Sequence, residues 1–506
     1  MDLLNNLSLA FSVALELKTL FFCFMGVLIG TLVGVLPGLG PAASTSLLLP
    51  LTFALTPVQA IIMLSGIYYG AYYGGSTTSI LVNIPGEAAS VVTCLDGYQM
   101  ARKGRAGQAL GISAIGSFIG GTFAIIMLML LAPPIAAMAL KFGPPEFVTL
   151  ACLGITLVTY LASGSMIKAL MMACVGLLLG YIGTDIVTGV ERFTFGIPVL
   201  LGGLELIPVV MGLFGISEVL LNLEQSYKNR DIFQTKIEHL WPTKKDIKES
   251  AGPIARGSVL GFILGVIPGG GGLLASFVSY ALEKRISKHP ETFGTGNIKG
   301  VAGPETANNS GAGGAFVPLL TLGIPCNVVV AILMGGLMIH GVEPGPRLIA
   351  DHPEIFWGVV GSLYIGNAML VILNLPLIGL WVQILKIRYA LLFPLIFLFC
   401  LIGSYTLNST EYDIYTMIIF GIVGYFMKKF GYEPAPLVLA LVLGPIMERA
   451  FRQSLIMSNG SSMIFISRPI SAIFVSVSLF LLISPLIFRW LGRNRPGVLE
   501  GEQEDL

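Results

Sequence analysis

Two runs of small polar residues interrupt the most apolar parts of this chain, and both could bind ions. The first run is Gly74-Gly75-Ser76-Thr77-Thr78-Ser79, followed by Asn83, and the second is Pro304-Glu305-Thr306-Ala307-Asn308-Asn309-Ser310-Gly311. Their hydroxyl, carboxamide and carboxylate oxygens are hard ligands suited to a partly dehydrated Na⁺. Because a single Ser or Thr more often hydrogen-bonds to its own helix, the prediction depends on the clusters.

Each polar run follows a Pro-Gly break in an apolar segment. The breaks are Val35-Leu36-Pro37-Gly38-Leu39-Gly40-Pro41 and Pro268-Gly269-Gly270-Gly271-Gly272. Proline removes a backbone donor and clustered glycines destabilise a helix, and an unpaired backbone group in lipid costs several kcal/mol. Paired breaks therefore predict a transporter's binding site, where half-helix N-termini bind an anion. The alternative is two proline kinks or close-packing glycines.

These patterns assign two sets of candidate residues. The predicted substrate-binding residues are Pro37, Gly38, Gly40, Ser44, Thr45, Pro268, Gly269, Gly271, Ser276, Asn308 and Asn309. The predicted cation-binding residues are Ser76, Thr77, Thr78, Asn83, Glu305, Ser310 and Thr321. Glu305 could instead cap a helix, and we interpret Glu87 and Asp96, near predicted segment ends, as interfacial or capping residues.

The sequence has no recognisable catalytic constellation. Gly269–Gly272 lacks the Gly-Lys-Ser/Thr ending of a phosphate-binding loop, and the histidines and cysteines lack metal-ligand spacing. The net charge of +1 and the lack of a basic stripe give no indication of nucleic-acid binding. We predict a protein that is not an enzyme, has no cofactor and no transition-metal site, and draws on a Na⁺ or H⁺ gradient.

Composition predicts the element type that positions these residues. The chain is 55% hydrophobic and 11% charged, whereas a soluble protein carries about 25% charged residues. A helix crossing the bilayer needs about 20 apolar residues, so the sequence predicts an all-α polytopic membrane protein with roughly ten to twelve crossings. The N-terminus lacks the features of a cleaved signal peptide, and we expect it to be retained.

Clustered charges divide the chain into four parts. We predict a first transmembrane half over 1–221, a charged linker over 222–250, a second half over 251–490 and a polar tail over 491–506. Positive residues favour the cytoplasmic side, so the linker, the loop 102–105 and the tail are predicted there.

The two halves carry related motifs. Residues Gly30 to Gly40 reappear as Gly261 to Gly271 at a constant offset of 231, and Asn83-Ile84-Pro85 recurs as Gly323-Ile324-Pro325. We predict two repeats, about 26–105 and about 257–347, that contain broken or re-entrant helices. The positions of the basic loops favour an inverted orientation. The basic segment 284–288 argues against it, since a simple count could place that segment outside.

The chain resembles the large membrane subunit of the tripartite tricarboxylate transporters, the TctA family. The motifs that carry this resemblance are Gly34-Val-Leu-Pro-Gly-Leu-Gly-Pro41, Tyr73-Gly-Gly, Asn83-Ile-Pro-Gly86, Leu95-Asp-Gly-Tyr98, Arg192-Phe-Thr-Phe195, Gly265-Val-Ile-Pro-Gly269, Gly300-Val-Ala-Gly-Pro-Glu-Thr-Ala-Asn-Asn309, Leu320-Thr-Leu-Gly-Ile-Pro325, Pro436 to Gly444 and Arg452-Gln-Ser-Leu455. They occur in order and extend over nearly the whole chain.

The resemblance implies partners, a location and a substrate class. It implies a small four-span membrane subunit (TctB-like), a periplasmic solute-binding protein (TctC-like), the bacterial inner membrane, and Na⁺- or H⁺-driven uptake of citrate or other carboxylates. Cys326 stands where some relatives have glycine, so the particular substrate is left open. The alternatives are a carrier of the same fold for another anion or an amino acid, a gated channel, and an intramembrane enzyme.

Overall fold

The computed structural model describes residues 3–36, 40–162, 165–185, 188–224, 240–384 and 389–490. Four helices in these ranges are long and apolar enough to cross a membrane, and they are Leu17–Val35, Ala106–Ala139, Pro353–Asn374 and Pro434–Met457. Several shorter apolar helices accompany them. The chain is therefore an all-α, multi-pass membrane protein, while the number of crossings stays a prediction.

The helices of the first half are α1 (Leu3–Ala14), α2 (Leu17–Val35), α3 (Pro41–Leu48), α4 (Pro57–Val82), α5 (Val91–Thr93), α6 (Gln99–Arg102), α7 (Ala106–Ala139), α8 (Pro144–Tyr160), α9 (Met166–Gly180), α10 (Leu206–Val210) and α11 (Ser217–Glu224). Short 3₁₀ turns occupy Leu49–Thr52, Ala88–Ser90 and Pro198–Gly202, and π-helical turns occupy Cys94–Tyr98 and Met211–Ile216. The strands β1 (Gly183–Thr184) and β2 (Glu191–Arg192) form a small antiparallel hairpin.

The helices of the second half are α12 (Lys244–Val266), α13 (Gly271–Ile286), α14 (Lys299–Gly314), α15 (Phe316–Leu322), α16 (Val328–Ile339), α17 (Leu348–Asp351), α18 (Pro353–Asn374), α19 (Ile378–Ile384), α20 (Tyr389–Asn408), α21 (Glu411–Lys429), α22 (Pro434–Met457), α23 (Ile464–Ser467) and α24 (Pro469–Trp490). A 3₁₀ turn occupies Pro290–Thr292.

Glycine seams hold two helix pairs in close contact. A Cβ at Gly34 of α2 would lie within 3.0 Å of the backbone of Ala71 in α4, and Gly30 meets Ile67 in the same way. In the second half, Gly265 of α12 meets Gly311 of α14 at an equally short distance. Since contacts advance in the same direction along both partners, α2 runs parallel to α4, and α12 runs parallel to α14.

The helices α4 and α14 cross at the centre of the protein in opposite directions. Ser76 of α4 hydrogen-bonds to Glu305 of α14, whereas Tyr69, two turns earlier, lies against Gly313. The partner number falls as the number in α4 rises, so these helices are antiparallel. Every residue of α14 from Gly300 to Gly314 is buried. A helix buried on all sides must lie inside the bundle rather than at its lipid-facing surface.

Both central helices are interrupted, and α12 ends at a Pro-Gly break. The helix α4 ends at Asn83 and α15 ends at Gly323, and both of these caps have left-handed backbone, with φ of 57° and 68°. The predicted interruption at Pro268–Gly269 is present, because α12 stops at Val266 and α13 starts at Gly271. Pro37 and Gly38 lie outside the described residues, so the first predicted break is visible only as the end of α2 and the start of α3.

Three basic segments gather at one end of the bundle, which we call the basic end. Lys103 donates a hydrogen bond to the carbonyl of Thr295, and Arg105 pairs with Asp246 at 2.6 Å. The segment 284–288, whose side the sequence left open, leads into the loop that contains Thr295. The loop 102–105, the start of α12 and this loop therefore share one end.

Asp246 anchors the start of α12 at the basic end. Burial works against its ionisation, but hydrogen bonds from Thr243 and the Arg105 guanidinium hold the pKa of Asp246 below its usual 3.8. A lowered folded-state pKa means that the stabilisation is present above the ordinary value and is lost as pH falls through the lowered one. Of the predicted linker, residues 225–239 lie outside the described residues, as does the predicted tail 491–506.

Candidate functional site

Glu305 lies where α4 and α14 cross and is held by hydroxyl groups. Ser76 donates to its Oε2 at 2.5 Å, and Thr93 of α5 donates to its Oε1. Ser113 of α7 supplies a further side-chain hydrogen bond. Glu305 is 1% exposed, and none of the described lysines and arginines pairs with it. Hydroxyls from three helices therefore converge on one buried carboxylate at the centre of the protein.

Two asparagines continue this polar cluster along α14. Asn309 donates from Nδ2 to Ser117 Oγ at 2.7 Å and to the Glu305 carbonyl at 3.1 Å. Asn308 donates from Nδ2 to Glu87 Oε1 at 3.1 Å. Hydrogen bonds of this kind satisfy polar groups that would be costly to bury alone. Together they connect α14 to α7 and to the turn that follows the end of α4.

The contact between Asn308 and Glu87 has a counterpart in the other half. Asn327 donates from Nδ2 to Tyr68 Oη at 3.3 Å, and both of its residues are related to the first pair by the same offset of 240. Glu87 and Asn327 also have the same extended backbone and the same role, since each caps the helical turn that follows a break. Each half therefore contributes one cap and one helix residue to a pair that crosses between the halves.

The structure brings some of the predicted substrate-binding residues to this cluster. Asn308 and Asn309 lie in it, and Ser276 of α13 donates to the Ala89 carbonyl at 2.8 Å. Gly269 and Gly271, with Pro268 beside them, form the loop at the start of α13, and the Gly269 N–H donates to the Cys326 carbonyl at 2.8 Å. This loop therefore meets the break that precedes Asn327.

Other predicted substrate-binding residues make local contacts. Gly40 is the N-cap of α3, and Ser44 and Thr45 donate to the carbonyls of Gly40 and Pro41 in their own helix. This is the simpler role that the sequence allowed for single hydroxyl residues. Pro37 and Gly38 are outside the described residues, so their assignment stays a prediction.

The predicted cation-binding residues divide in the same way. Ser76 and Glu305 meet directly, and Thr77 is buried one residue further along α4. Thr78 donates to the Val35 carbonyl, Ser310 to the Ser258 carbonyl and Thr321 to the Val317 carbonyl. Asn83 is the exposed left-handed cap of α4. The last four therefore hold helices together or end one, away from the Glu305 carboxylate.

Sequence reasoning undervalued several residues of the site. Glu87 was interpreted as interfacial or capping; it is a cap, but it is buried inside the cluster. Thr93, Ser113, Tyr68 and Asn327 were not singled out, because each is isolated among apolar or small neighbours. An alignment of the two halves beyond the proline would have paired Asn327 with Glu87.

Asp96 fixes the loop that leads into α14. Its Oδ1 accepts backbone N–H bonds from Gly294, Gly296 and Asn297 at 2.7–3.0 Å, and its Oδ2 accepts the Tyr280 hydroxyl at 3.0 Å. The side chain is 0% exposed, so the interfacial interpretation of Asp96 is wrong. A carboxylate from the first half thus sets the start of the helix that carries Glu305 and Asn308.

We expect Asp96→Ala to destabilise the folded protein by about 3–5 kcal/mol, because it leaves four buried donors without an acceptor. Asp96→Asn, which keeps one acceptor oxygen, should cost about half as much. The measurement is the melting temperature of the purified full chain in detergent. Glu249→Gln, at a half-exposed surface pair with Lys245, is the control. A melting temperature for Asp96→Ala equal to that control would contradict this role.

A cavity of about 500 Å³ opens at the end opposite the basic end. Its lining includes Ala139, which is the last residue of α7, and the charged residues Glu343, Arg347 and Asp351. The 34-residue helix α7 starts beside Arg105, so the two ends lie about 50 Å apart. The cavity is separate from the Glu305 cluster.

These features define a class of protein. Interrupted helices whose polar residues meet in the interior of a helical membrane bundle are characteristic of secondary transporters. The chain matches the model of the "Tripartite tricarboxylate transporter TctA family" over residues 20–439, and it belongs to this family. The family is one of transporters rather than enzymes, and its members normally work with TctB and TctC partners.

Two relatives come from Agrobacterium vitis. The chain is 53% identical over 487 residues to the "Uncharacterized 52.8 kDa protein in TAR-I ttuC' 3'region", which covers 96% of this chain and 97% of the relative. It is 50% identical over 227 residues to the "Uncharacterized protein in TAR-II ttuC' 3'region", covering 45% of this chain and 94% of the relative. A search of the solved structures finds no match.

Proposed function

We propose that this chain is the channel-forming large subunit of an importer of small organic carboxylates in the bacterial inner membrane. It receives its substrate from a periplasmic solute-binding protein and works with a small four-helix membrane subunit. A Na⁺ or H⁺ gradient drives uptake. The observation that carries the proposal is the buried crossing of α4 and α14, where polar groups from both halves meet at interrupted helices.

The substrate carboxylate binds at helix N-termini in this proposal. The helix α13 begins at Gly271, and α16 begins beside Asn327, whose amide lies 3.7 Å from the Cβ position of Gly271. Helix N-termini present unpaired N–H groups and a partial positive charge to an anion. Two such ends, with an amide between them, can bind a carboxylate without a buried arginine.

The two halves are an inverted repeat in this proposal. The parallel pairs α2·α4 and α12·α14 share the glycine spacing, and their members at the crossing run antiparallel. A two-fold axis in the membrane plane relates inverted copies and makes contacts between them reciprocal. The pairs Asn308–Glu87 and Tyr68–Asn327 have this reciprocity.

The orientation follows from the charges. Positive residues favour the cytoplasmic side, so the basic end faces the cytoplasm and the 500 Å³ cavity faces the periplasm. The cavity borders the second break, since a Cβ at Gly323 would lie 2.5 Å from the Pro344 carbonyl. A substrate delivered from the periplasm would reach the site past this loop.

The experiment has two stages. A melting-shift screen of the cognate binding protein against citrate, dicarboxylates, aromatic acids, inorganic anions and amino acids identifies its ligand. Counterflow of that ligand is then measured in liposomes that contain the purified membrane subunits, with and without Na⁺. We expect a carboxylate to be bound and exchanged. Binding of an amino acid or inorganic anion alone would replace the substrate class, and flux without exchange kinetics would indicate a channel.

A further inference from the structure

One buried acceptor at the crossing has no donor. Asn308 is 0% exposed, and its Nδ2 donates to Glu87, but its Oδ1 has no hydrogen-bond partner among the described residues. This oxygen lies against the first turn of α13, 2.6 Å from where a Cβ of Gly272 would be. A buried carbonyl oxygen without a partner is costly, so an absent ligand is the natural explanation.

The unpaired oxygen lies next to a carboxylate. Because Nδ2 and Oδ1 of Asn308 share one carbon atom, the contact of 3.1 Å to Glu87 Oε1 brings Oδ1 beside the same carboxylate. Glu87 Oε2 accepts the N–H of Ala89 at 2.8 Å. None of the described lysines, arginines and histidines pairs with Glu87. Two acceptors, one of them a carboxylate, thus meet without a cationic partner.

The counterpart in the other half differs in charge. Asn327 occupies the position equivalent to Glu87, and Tyr68 occupies the position equivalent to Asn308. This second pair contains donors, an amide N–H₂ and a phenol, and no carboxylate. If the halves are copies, their two equivalent positions have become chemically different. The Glu87 position favours a cation, and the Asn327 position favours an anion.

We infer that Glu87 and Asn308 form the anchoring pair of a Na⁺ site that joins the two halves. The inference deepens the proposed ion coupling and rests on it. It moves the predicted cation site away from Glu305, whose oxygens are already satisfied by the hydroxyls of Ser76, Thr93 and Ser113. A Na⁺ bound by one residue from each half would favour the packing of α14 against the turn at Glu87.

A proton fits the geometry less well than Na⁺. Protonation of Glu87 would remove its charge, but Asn308 Oδ1 would remain without a donor while Nδ2 keeps its bond to the carboxyl group. A small cation satisfies both oxygens at once. Side-chain and backbone oxygens at interrupted helices are the ligands that transporters use for Na⁺.

The test is Na⁺-dependent melting of the purified full chain, titrated with NaCl against KCl at constant ionic strength and without substrate. A ligand that binds only the folded state raises its melting temperature with concentration. We expect the wild type to respond to Na⁺. Glu87→Gln and Asn308→Leu should weaken the apparent Na⁺ affinity by about tenfold or more, whereas Asn308→Asp, which keeps an oxygen, should retain the response.

Two variants are matched controls. Asn327→Ala changes the equivalent neutral position, and Glu305→Gln changes the other buried carboxylate, so both should retain the Na⁺ response. The inference fails if the wild type does not respond to Na⁺, if the response survives in Glu87→Gln and Asn308→Leu, or if only Glu305→Gln abolishes it. Stabilisation by lower pH in place of Na⁺ would also overturn it. If Glu87→Gln does not fold, the Asn308 variants decide.

The failure of the inference can be told apart from failure of the proposed function. Carboxylate counterflow together with an intact Na⁺ response in Glu87→Gln would leave the function standing and remove this site. A Na⁺ response that depends on Glu87, together with no carboxylate movement for any ligand, would keep the site and remove the function.

Discussion

Gly265→Val is expected to abolish folding of the protein into its functional form. A Cβ at this position would lie within 3.0 Å of the Gly311 backbone, where α12 and α14 are in contact. Backbone atoms cannot rotate away as a side chain can, so the two helices must separate. Overpacking a well-packed core costs about 1–3 kcal/mol, and a backbone clash with a branched side chain should reach the upper end or exceed it.

The measurement is the yield of monodisperse protein after detergent extraction, with the melting temperature of what is recovered. The matched control is Gly379→Ala in α19, where an added Cβ meets nothing within 4 Å. Exposed substitutions away from special features usually change stability by less than about 0.5 kcal/mol. Equal yields and melting temperatures for the two variants would show that the glycine seam does not hold these helices together.

Glu305→Ala is expected to reduce carboxylate transport by about 100-fold while leaving a folded protein. The change removes the acceptor shared by Ser76, Thr93 and Ser113, which come from three helices. Buried donors without an acceptor cost about 1–3 kcal/mol each. They would reorganise the crossing of α4 and α14 rather than remain unsatisfied. Glu305→Gln keeps one acceptor oxygen and should retain more activity.

This prediction is checked by initial rates of counterflow in liposomes, normalised to the amount of reconstituted protein. Ser12→Ala, at a surface serine that bonds only to its own helix, is the control for the loss of a hydroxyl interaction away from the site. The role assigned to Glu305 is wrong if Glu305→Ala exchanges substrate at the wild-type rate. A low rate with a normal melting temperature would place the defect in transport.

Several features were predictable because their causes are local. The break at Pro268–Gly269 follows from a missing backbone donor and flexible glycines, and the structure ends α12 there. The helical, membrane-embedded character follows from composition alone. The polar runs that contain Ser76 and Glu305 were also found, since such residues are rare in apolar segments.

The partners of these residues were not predictable from local pattern. Ser76 and Glu305 are 229 residues apart, and Thr93 and Glu305 are 212 apart, so their contacts depend on how the two central helices cross. Thr93 and Ser113 are ordinary hydroxyl residues in their own segments. Their importance comes entirely from facing Glu305.

The alignment of the two halves explains why Asn327 was missed. The glycine seam repeats at an offset of 231, whereas the reciprocal contacts repeat at 240. The nine-residue difference falls between α13 and α14, in the loop that Asp96 fixes. An alignment at the first offset therefore does not pair Asn327 with Glu87, although both cap the turn after a break.

The central claim is that this chain moves a carboxylate delivered by a binding protein. The most direct measurement is net uptake of the labelled ligand into liposomes that contain this chain and its small membrane subunit, under an imposed Na⁺ gradient, with the binding protein present or omitted. We predict uptake that requires the binding protein and collapses when the cation gradients are removed. Uptake that persists without the binding protein, or that is indifferent to every cation gradient, would contradict the account.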